Sequence, residues 1–233
     1  MISQIIFNGK KSYTDFGVTL SYFLPQPPSL KIIKEDVPFM HGSYDFSLLY
    51  GEQAYNDRRI LCRLQFFDTD KIRLYIKYGE LLEWLIGSGT SRLEYTGEPG
   101  LYYMARVEET PSWNRFYATG SLDFAFTAYP FKFGIRNEGT DIWDEFNFET
   151  DYMQDVKFNV VGTKNIVIYN PSSRKIVPTV VCDAAIDVVK GNITYKFSTG
   201  STKDWRFELE KGKNEFTLKG NGNIEFVFRK EVL

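Results

Sequence analysis

A single histidine, His41, and two cysteines, Cys62 and Cys182, are all that the 233 residues supply of the side chains that dominate zinc sites. Structural zinc centres and disulfide frameworks draw on more of these residues than are present, so both classes drop out and no metal or cofactor is expected. The two cysteines stand far apart, one in each half of the chain. They read as buried thiols acting as small hydrophobes, with a disulfide as the minor alternative. A cationic excess is also missing: 28 Lys+Arg face 30 Asp+Glu, for a formal charge of −2. Nothing is left over to neutralise a phosphate backbone, and tight nucleic-acid binding is not expected. No run approaches the roughly 20 apolar residues of a membrane-spanning helix. The longest candidate, Leu81 to Ile86, is broken by Glu83 and stopped at Gly87, so no membrane insertion is expected. The first residues, Met1 to Phe7, have no basic region before an apolar one and no small-residue cleavage site, which points to synthesis and folding in a cytoplasm. Without a secretory route the glycosylation-type triplet at Asn192 to Thr194 has no consequence.

What the chain has in quantity is aromatic residues, 17% of the total with 20 Phe and 15 Tyr, against 25% charged residues. That composition favours strands over helices. Ile5 to Phe7 run into Asn8-Gly9, a hairpin signal, with the next strand expected at Val18 to Leu24. Pro25, Pro27 and Pro28 force an extended connection to a strand at Lys31 to Lys34. Val37 to Asp57 is a long polar and aromatic stretch punctuated by Gly42 and Gly51, and loops of that length are commonly functional or interfacial. Arg59 to Phe66 alternates as a half-buried strand.

One helix is expected, from about Asp70 to Ile86. Asp68-Thr69-Asp70 offers N-cap oxygens, and Ile72, Tyr75, Ile76, Leu82 and Leu85 carry a helical period as far as Gly87. Strands return at Arg92 to Tyr95, at Tyr102 to Thr110, and as a pair around a bend at Trp113-Asn114-Arg115. Ser121 to Tyr129 then alternates strictly, with Leu122, Phe124, Phe126 and Ala128 on one face. From Lys132 to about Asp155 the alternation is lost and charges interleave with Trp143, Phe146 and Phe148, which marks a domain boundary. Eight short strands follow, among them Val156 to Val161, Asn165 to Tyr169, Trp205 to Leu209, Asn214 to Leu218 and Ile224 to Phe228, with Gly162 and Gly220-Asn221-Gly222 among the turns. The expected architecture is mainly β. Residues 1–133 form a β-rich α+β domain with one helix, and residues 134–233 form an antiparallel, galectin-like β-sandwich with a linker-like start at 134–155.

A search for reaction chemistry returns nothing specific. His41 lies in Pro38-Phe39-Met40-His41-Gly42-Ser43 with no nucleophile-elbow pattern. Gly87-Ser88-Gly89 and Gly220-Asn221-Gly222 lack the context of a phosphate loop and read as ordinary turns. Glu108-Glu109, Asp141, Asp144-Glu145 and Asp151 could supply a glycosidase pair, but no spacing selects two of them. Trp143, Trp205 and the tyrosines could stack on sugar rings or fill a sandwich core. No enzyme activity is expected.

A set of ordered motifs adds a more specific reading. Phe7-Asn8-Gly9, Asp15-Phe16-Gly17, His41-Gly42-Ser43-Tyr44-Asp45 and Tyr55-Asn56-Asp57-Arg58-Arg59-Ile60 are followed by Leu82-Glu83-Trp84-Leu85, Glu98 to Arg106, and Phe126-Thr127-Ala128-Tyr129-Pro130-Phe131. In this order and spacing the sequence resembles the distal tail protein family of long-tailed, non-contractile bacteriophages, particularly those infecting Gram-positive bacteria. The resemblance implies a structural virion protein at the tail tip, forming a hexameric ring that joins the tail tube protein to the tail-associated tip protein. The tape-measure protein and receptor-binding or baseplate proteins would be further partners, and DNA would pass through the ring without being held. On that reading the ring interface is expected in the aromatic stretch from Val37 to Asp57, at Phe39, Met40, Tyr44, Phe46 and Tyr55, with Arg58 beside it. The alternatives are that this stretch folds back over its own domain as an Ω-type loop, and that the chain is a carbohydrate- or receptor-binding adaptor acting through its C-terminal sandwich.

Overall fold

The computed structural model describes residues 3–49, 51–68, 70–116, 119–139 and 153–233. They form two compact units, residues 1–132 with Leu233, and residues 133–232. Both are built from antiparallel strands, with one helix among the described residues. Both cysteines are buried, free thiols. The expected domain break at 134–155, with Asp141, Trp143, Asp144, Glu145, Phe146, Phe148 and Asp151, falls largely on residues 140–152, outside the described set.

In the first unit, β1 (Ile5–Phe7) turns at Asn8-Gly9 directly into β2 (Lys10–Lys11), and β3 (Thr19–Pro25) follows. The hairpin partner is thus immediate instead of delayed to Val18. Its turn holds both central residues at positive φ, 50° for Asn8 and 76° for Gly9, the geometry that matches the twist of the flanking strands. β4 (Lys34–Glu35) and β5 (Tyr44–Asp45) form a separate two-stranded sheet. β6 (Arg58–Phe67), β7 (Ser91–Tyr95), β8 (Leu101–Val107), β9 (Ser112–Phe116) and β10 (Thr119–Ala128) complete the main sheet, in the order β2-β1-β7-β8-β10-β6-β3 with β9 also on β10. Trp113, Asn114 and Arg115, expected in a bend, lie within β9 and pair with β10. Trp113 sits there because its ring stacks on Tyr78 with centroids 4.2 Å apart.

The helix α1 (Lys71–Gly87) is capped by Asp70, whose carboxylate accepts the Ile72 backbone N–H at 2.8 Å. Of the residues expected to carry its period, Leu85 is buried and Leu82 half-buried, and the rest of the buried face differs. Leu74, Leu81, Trp84 and Leu85 enter the core, while Ile72, Tyr75 and Ile76 stay more than half exposed. Both sets have helical spacing, so periodicity alone could not choose between them. Trp84 decides the rotation: its indole N–H donates to the Phe7 carbonyl at 2.9 Å, and its ring stacks on Phe16. The core then joins the helix to Ile5, Phe7, Ile60, Cys62, Leu64, Leu122, Phe124 and Phe126 from three strands, β1, β6 and β10.

The second unit is built on one six-stranded sheet folded over on itself. β12 (Lys157–Asn170), β13 (Thr179–Cys182), β14 (Ile186–Lys190), β15 (Ile193–Phe197), β16 (Gly200–Thr202) and β17 (Gly212–Val227) form it, while β11 (Lys132–Gly134) and β18 (Glu231–Val232) pair with each other outside it. The expected short strands on either side of Gly162, and on either side of Gly220-Asn221-Gly222, are continuous strands of 14 and 16 residues. Trp205 to Leu209, expected as a strand, contributes only an isolated bridge from Leu209 to Ile176. These glycines bend strands instead of ending them. Gly162 lies opposite Gly220 in the ladder, and β17 changes partner there, from β14 up to Gly220 to β13 from Ile224.

The bend shows in the core. Phe216 and Phe226 are ten positions apart, which a straight strand would spread over about 33 Å. Their rings stack with centroids 6.1 Å apart, and Phe207 contacts both. Gly220 and Gly222 make this possible with φ of 144° and 150°. At Gly222 a Cβ would lie 2.5 Å from the Asp183 carboxylate and 2.8 Å from the Ala184 side chain. Gly222→Ala is therefore expected to lower stability by about 1–3 kcal/mol, read as a reduced urea midpoint. An unchanged midpoint would show that the bend does not depend on this glycine.

Candidate assembly surface

The residues from Ser29 to Asn56 leave the first unit as an arm. Its stem is a short pairing of outgoing and returning chain: Lys31 N–H donates to the Ala54 carbonyl at 2.8 Å, Asn56 N–H to Ser29 at 2.9 Å, and Leu30 bridges Tyr55. Side chains reinforce it, with the Asn56 amide donating to Ser29 Oγ and the Gln53 amide to the Ala54 carbonyl. Beyond the stem β4 and β5 pair, Ile33 N–H donates to Ser47 Oγ at 2.9 Å, and Asp45 accepts the Ser47 N–H at 2.9 Å. That hydrogen bonding also holds the Asp45 carboxyl below its ordinary value.

The arm is shaped by its backbone bonds while its apolar side chains face water. Ten large ones between Leu30 and Leu49 are exposed: Leu30, Ile32, Ile33, Val37, Phe39, Met40, Tyr44, Phe46, Leu48 and Leu49. At the tip Phe39 is fully exposed and adopts a φ of 69°, a left-handed conformation that a bulky side chain takes only at a cost of about 1–2 kcal/mol. The Ω-type alternative, in which this stretch covers its own domain, is not what the chain does.

Of the expected interface residues, the structure gathers Phe39, Met40, Tyr44 and Phe46 on the exposed arm, with the Tyr44 and Phe46 rings 6.3 Å apart. Tyr55 is half-buried at the stem, edge-on to Phe131 at 5.6 Å. Arg58 is elsewhere. It opens β6 at 5% exposure, its guanidinium over the Tyr103 ring at 5.7 Å, and burial lowers its pKa from the ordinary value. Tyr103 in turn donates to Glu98 at 2.8 Å. Arg58 is therefore a buried part of the domain and not a contact surface. Sequence reading placed Ile32 and Ile33 in a strand at Lys31 to Lys34, of which only Lys34 lies in a strand, β4, and it missed Leu48 and Leu49, whose signal was apolar residues in a stretch with neither strand nor helix period.

Chemistry is sparse among the described residues. No group of three or more His, Cys, Asp or Glu could hold a metal. His41 is exposed on the arm. The acids Glu108 and Glu109 are engaged by Arg106 and Arg59, respectively. Among the described residues no helix is long and apolar enough to cross a membrane.

The outer face of the main sheet carries a cross-strand ion network. Asp123 on β10 lies directly opposite Arg63 on β6 and accepts its Nε and Nη2, along with the Tyr22 hydroxyl at 3.1 Å and the Asn114 amide at 3.1 Å. The Arg63 guanidinium, followed by the Tyr22 hydroxyl, holds the Asp123 carboxyl below its ordinary 3.8. A depressed folded pKa adds stability that is complete above the unfolded value and disappears as pH falls through the folded one. Asp123→Asn is expected to lower stability at neutral pH and to flatten its acid-side decline, measured as urea midpoints from pH 7 down to pH 3. Parallel curves for wild type and variant would contradict this.

This fold, an antiparallel domain with one helix among its described residues followed by a folded-over antiparallel sheet, is shared with a solved structure. The particular likeness is to the Dit protein of phage SPP1, a hub adsorption apparatus protein of phages infecting Gram-positive bacteria: the two chains superpose over 100% of each, with a TM-score of 0.65 and 15% sequence identity. A component of the phage p2 baseplate in its activated conformation aligns over 99% of this chain and 98% of its own, at 12% identity and a TM-score of 0.39. What is shared with the SPP1 protein is the fold. No protein-family model matches the sequence, and no curated protein matches it.

Proposed function

We propose that the chain is a structural component of a phage tail tip, forming a closed ring with copies of itself. The ring joins the tail tube to tip or baseplate components and leaves a passage for DNA. The observation that carries this reading is the arm: ten large apolar side chains held in water on a hydrogen-bonded stem. Exposed apolar surface on that scale marks an interaction site. Covering what Phe39, Met40, Tyr44 and Phe46 still expose would contribute on the order of 4–7 kcal/mol, comparable with the lower end of the cost of association. A closed ring repeats the joint at every subunit, which favours assembly over isolated pairs. The near balance of charge, −2 overall, suits a conduit that DNA traverses without being held. A hexamer and virion location follow from the family resemblance, as do the tail tube, tip and tape-measure proteins as partners.

The wild-type protein is expected to form rings at micromolar concentration, alone or with its tail partners, visible by negative stain and by native mass. Phe39→Asp should leave the circular dichroism spectrum unchanged and reduce the ring population at least tenfold. A wild-type protein that stays monomeric in both settings would remove the ring.

A second reading is favoured by Trp205, which is 77% exposed on the second unit. Its turn is rigid: Asp204 accepts the Arg206 backbone N–H at 3.0 Å and forms a two-pronged ion pair with the Arg206 guanidinium at 3.0 and 2.8 Å, while Phe207 N–H donates to the Asp204 carbonyl at 3.0 Å. An exposed indole on a hydrogen-bonded turn, with a carboxylate and a guanidinium at the neighbouring positions, suits stacking on a sugar ring. On this reading Trp205→Ala weakens binding to purified Gram-positive cell-wall polysaccharide tenfold or more in calorimetry. Absence of wild-type binding at millimolar saccharide would eliminate it.

A further inference from the structure

We infer that the outward stripe of α1, centred on Ile72 and Ile76, is the surface on which the arm of a second copy of this chain docks. This rests on the ring reading above and names the receiving half of its joint. A ring of identical subunits closes through a heterologous contact, which needs two different patches on every chain. The arm is one. Outside it, most large exposed apolar side chains of the first unit come singly from separate elements, as with Tyr13, Leu24 and Tyr129. The exception is α1. Ile72 and Ile76 are one helical turn apart at 69% and 57% exposure, with Tyr75 beside them and exposed Phe67 just ahead on β6.

The fold uses only the flank of this stripe, where the Tyr75 ring meets Trp113 edge-on at 4.8 Å; Ile72 and Ile76 are left exposed, because Leu74, Leu81, Trp84 and Leu85 already bind the helix to its sheet. Nor does a chain's own arm cover it, since the apolar side chains on both are exposed in the same molecule.

Charge favours the same pairing. From residue 29 to 56 the arm carries Lys31 and Lys34 against Glu35, Asp36, Asp45 and Glu52, a net −2. The cap and first two turns of α1 carry Lys71, Arg73 and Lys77 against Asp70, a net +2, with Arg73 reaching back to Asp70 at 3.8 Å. An acidic, apolar arm and a basic, apolar helix face complement each other in both respects, whereas two arms or two helix faces would repel.

The test uses the full chain. In a Phe39→Cys/Ile76→Cys double variant, mild oxidation of assembled protein should produce a ladder of disulfide-linked species ending at the ring size on a non-reducing gel. Either single variant should give no ladder, the native cysteines being buried. Separately, Ile72→Glu/Ile76→Glu should keep the wild-type circular dichroism spectrum, since Glu is a good helix former favoured near a helix N-terminus, and should reduce assembly at least tenfold. Rings that form without a ladder and survive the helix substitutions would overturn the helix as receiver while leaving the ring intact. Cross-linking by Phe39→Cys alone would instead indicate arm-to-arm contact and overturn it too. A wild-type protein that never assembles would sink the ring reading itself, an outcome distinct from both.

Discussion

Apolar side chains that have nowhere to go within their own domain are the constraint on which the rest of the molecule's behaviour depends. A two-stranded sheet has no interior, and an isolated hairpin is marginal in water even with an apolar face. The arm nonetheless holds β4 and β5 paired and keeps Phe39 at a strained positive φ with its ring in solvent. Its stem bonds, from Lys31 to Ala54 and from Asn56 to Ser29, fix where it leaves the domain. The favourable free energy of burying its side chains is therefore still available after the chain has folded.

The first unit is otherwise complete. Its helix is tied to the sheet by Trp84, its outer-face charges are matched across strands as in the Arg63–Asp123 pair, and its core is one continuous cluster. Cross-strand pairing of opposite charges keeps the exposed sheet face from attracting polyanions or stray partners. That self-sufficiency concentrates the unsatisfied surface in two places, the arm and the outer stripe of α1. The second unit solves a different problem, making two layers from one hydrogen-bonded sheet by bending β12 and β17 at opposed glycines. The rings of Phe207, Phe216 and Phe226 then meet inside the fold.

Legibility in the sequence followed the range of the interaction responsible. The helix was readable almost to the residue, because its cap at Asp70 and its stop near Gly87 are local. The alternation of β10 was equally plain, since each side chain reports its own face. The face of α1 was not readable: Ile72/Ile76 and Leu74/Leu81/Leu85 have the same spacing, and only the distant Phe7 carbonyl, which holds Trp84, separates them. The glycines of β12 and β17 misled for a similar reason. A glycine that ends a strand and one that bends it look alike until the partner strand is known.

The sequence by itself determined the broad fold: a mainly β chain, and a capped helix that is the one helix among the described residues. Those conclusions rest on composition and local pattern, which survive any arrangement of the elements. Tertiary structure decided that the aromatic stretch after Val37 projects as an arm instead of folding back, that Arg58 is buried beneath Tyr103, and that Ile72 and Ile76 face outward. Each of these turns on which surfaces a domain can cover with its own residues, a competition among distant segments that no local window contains.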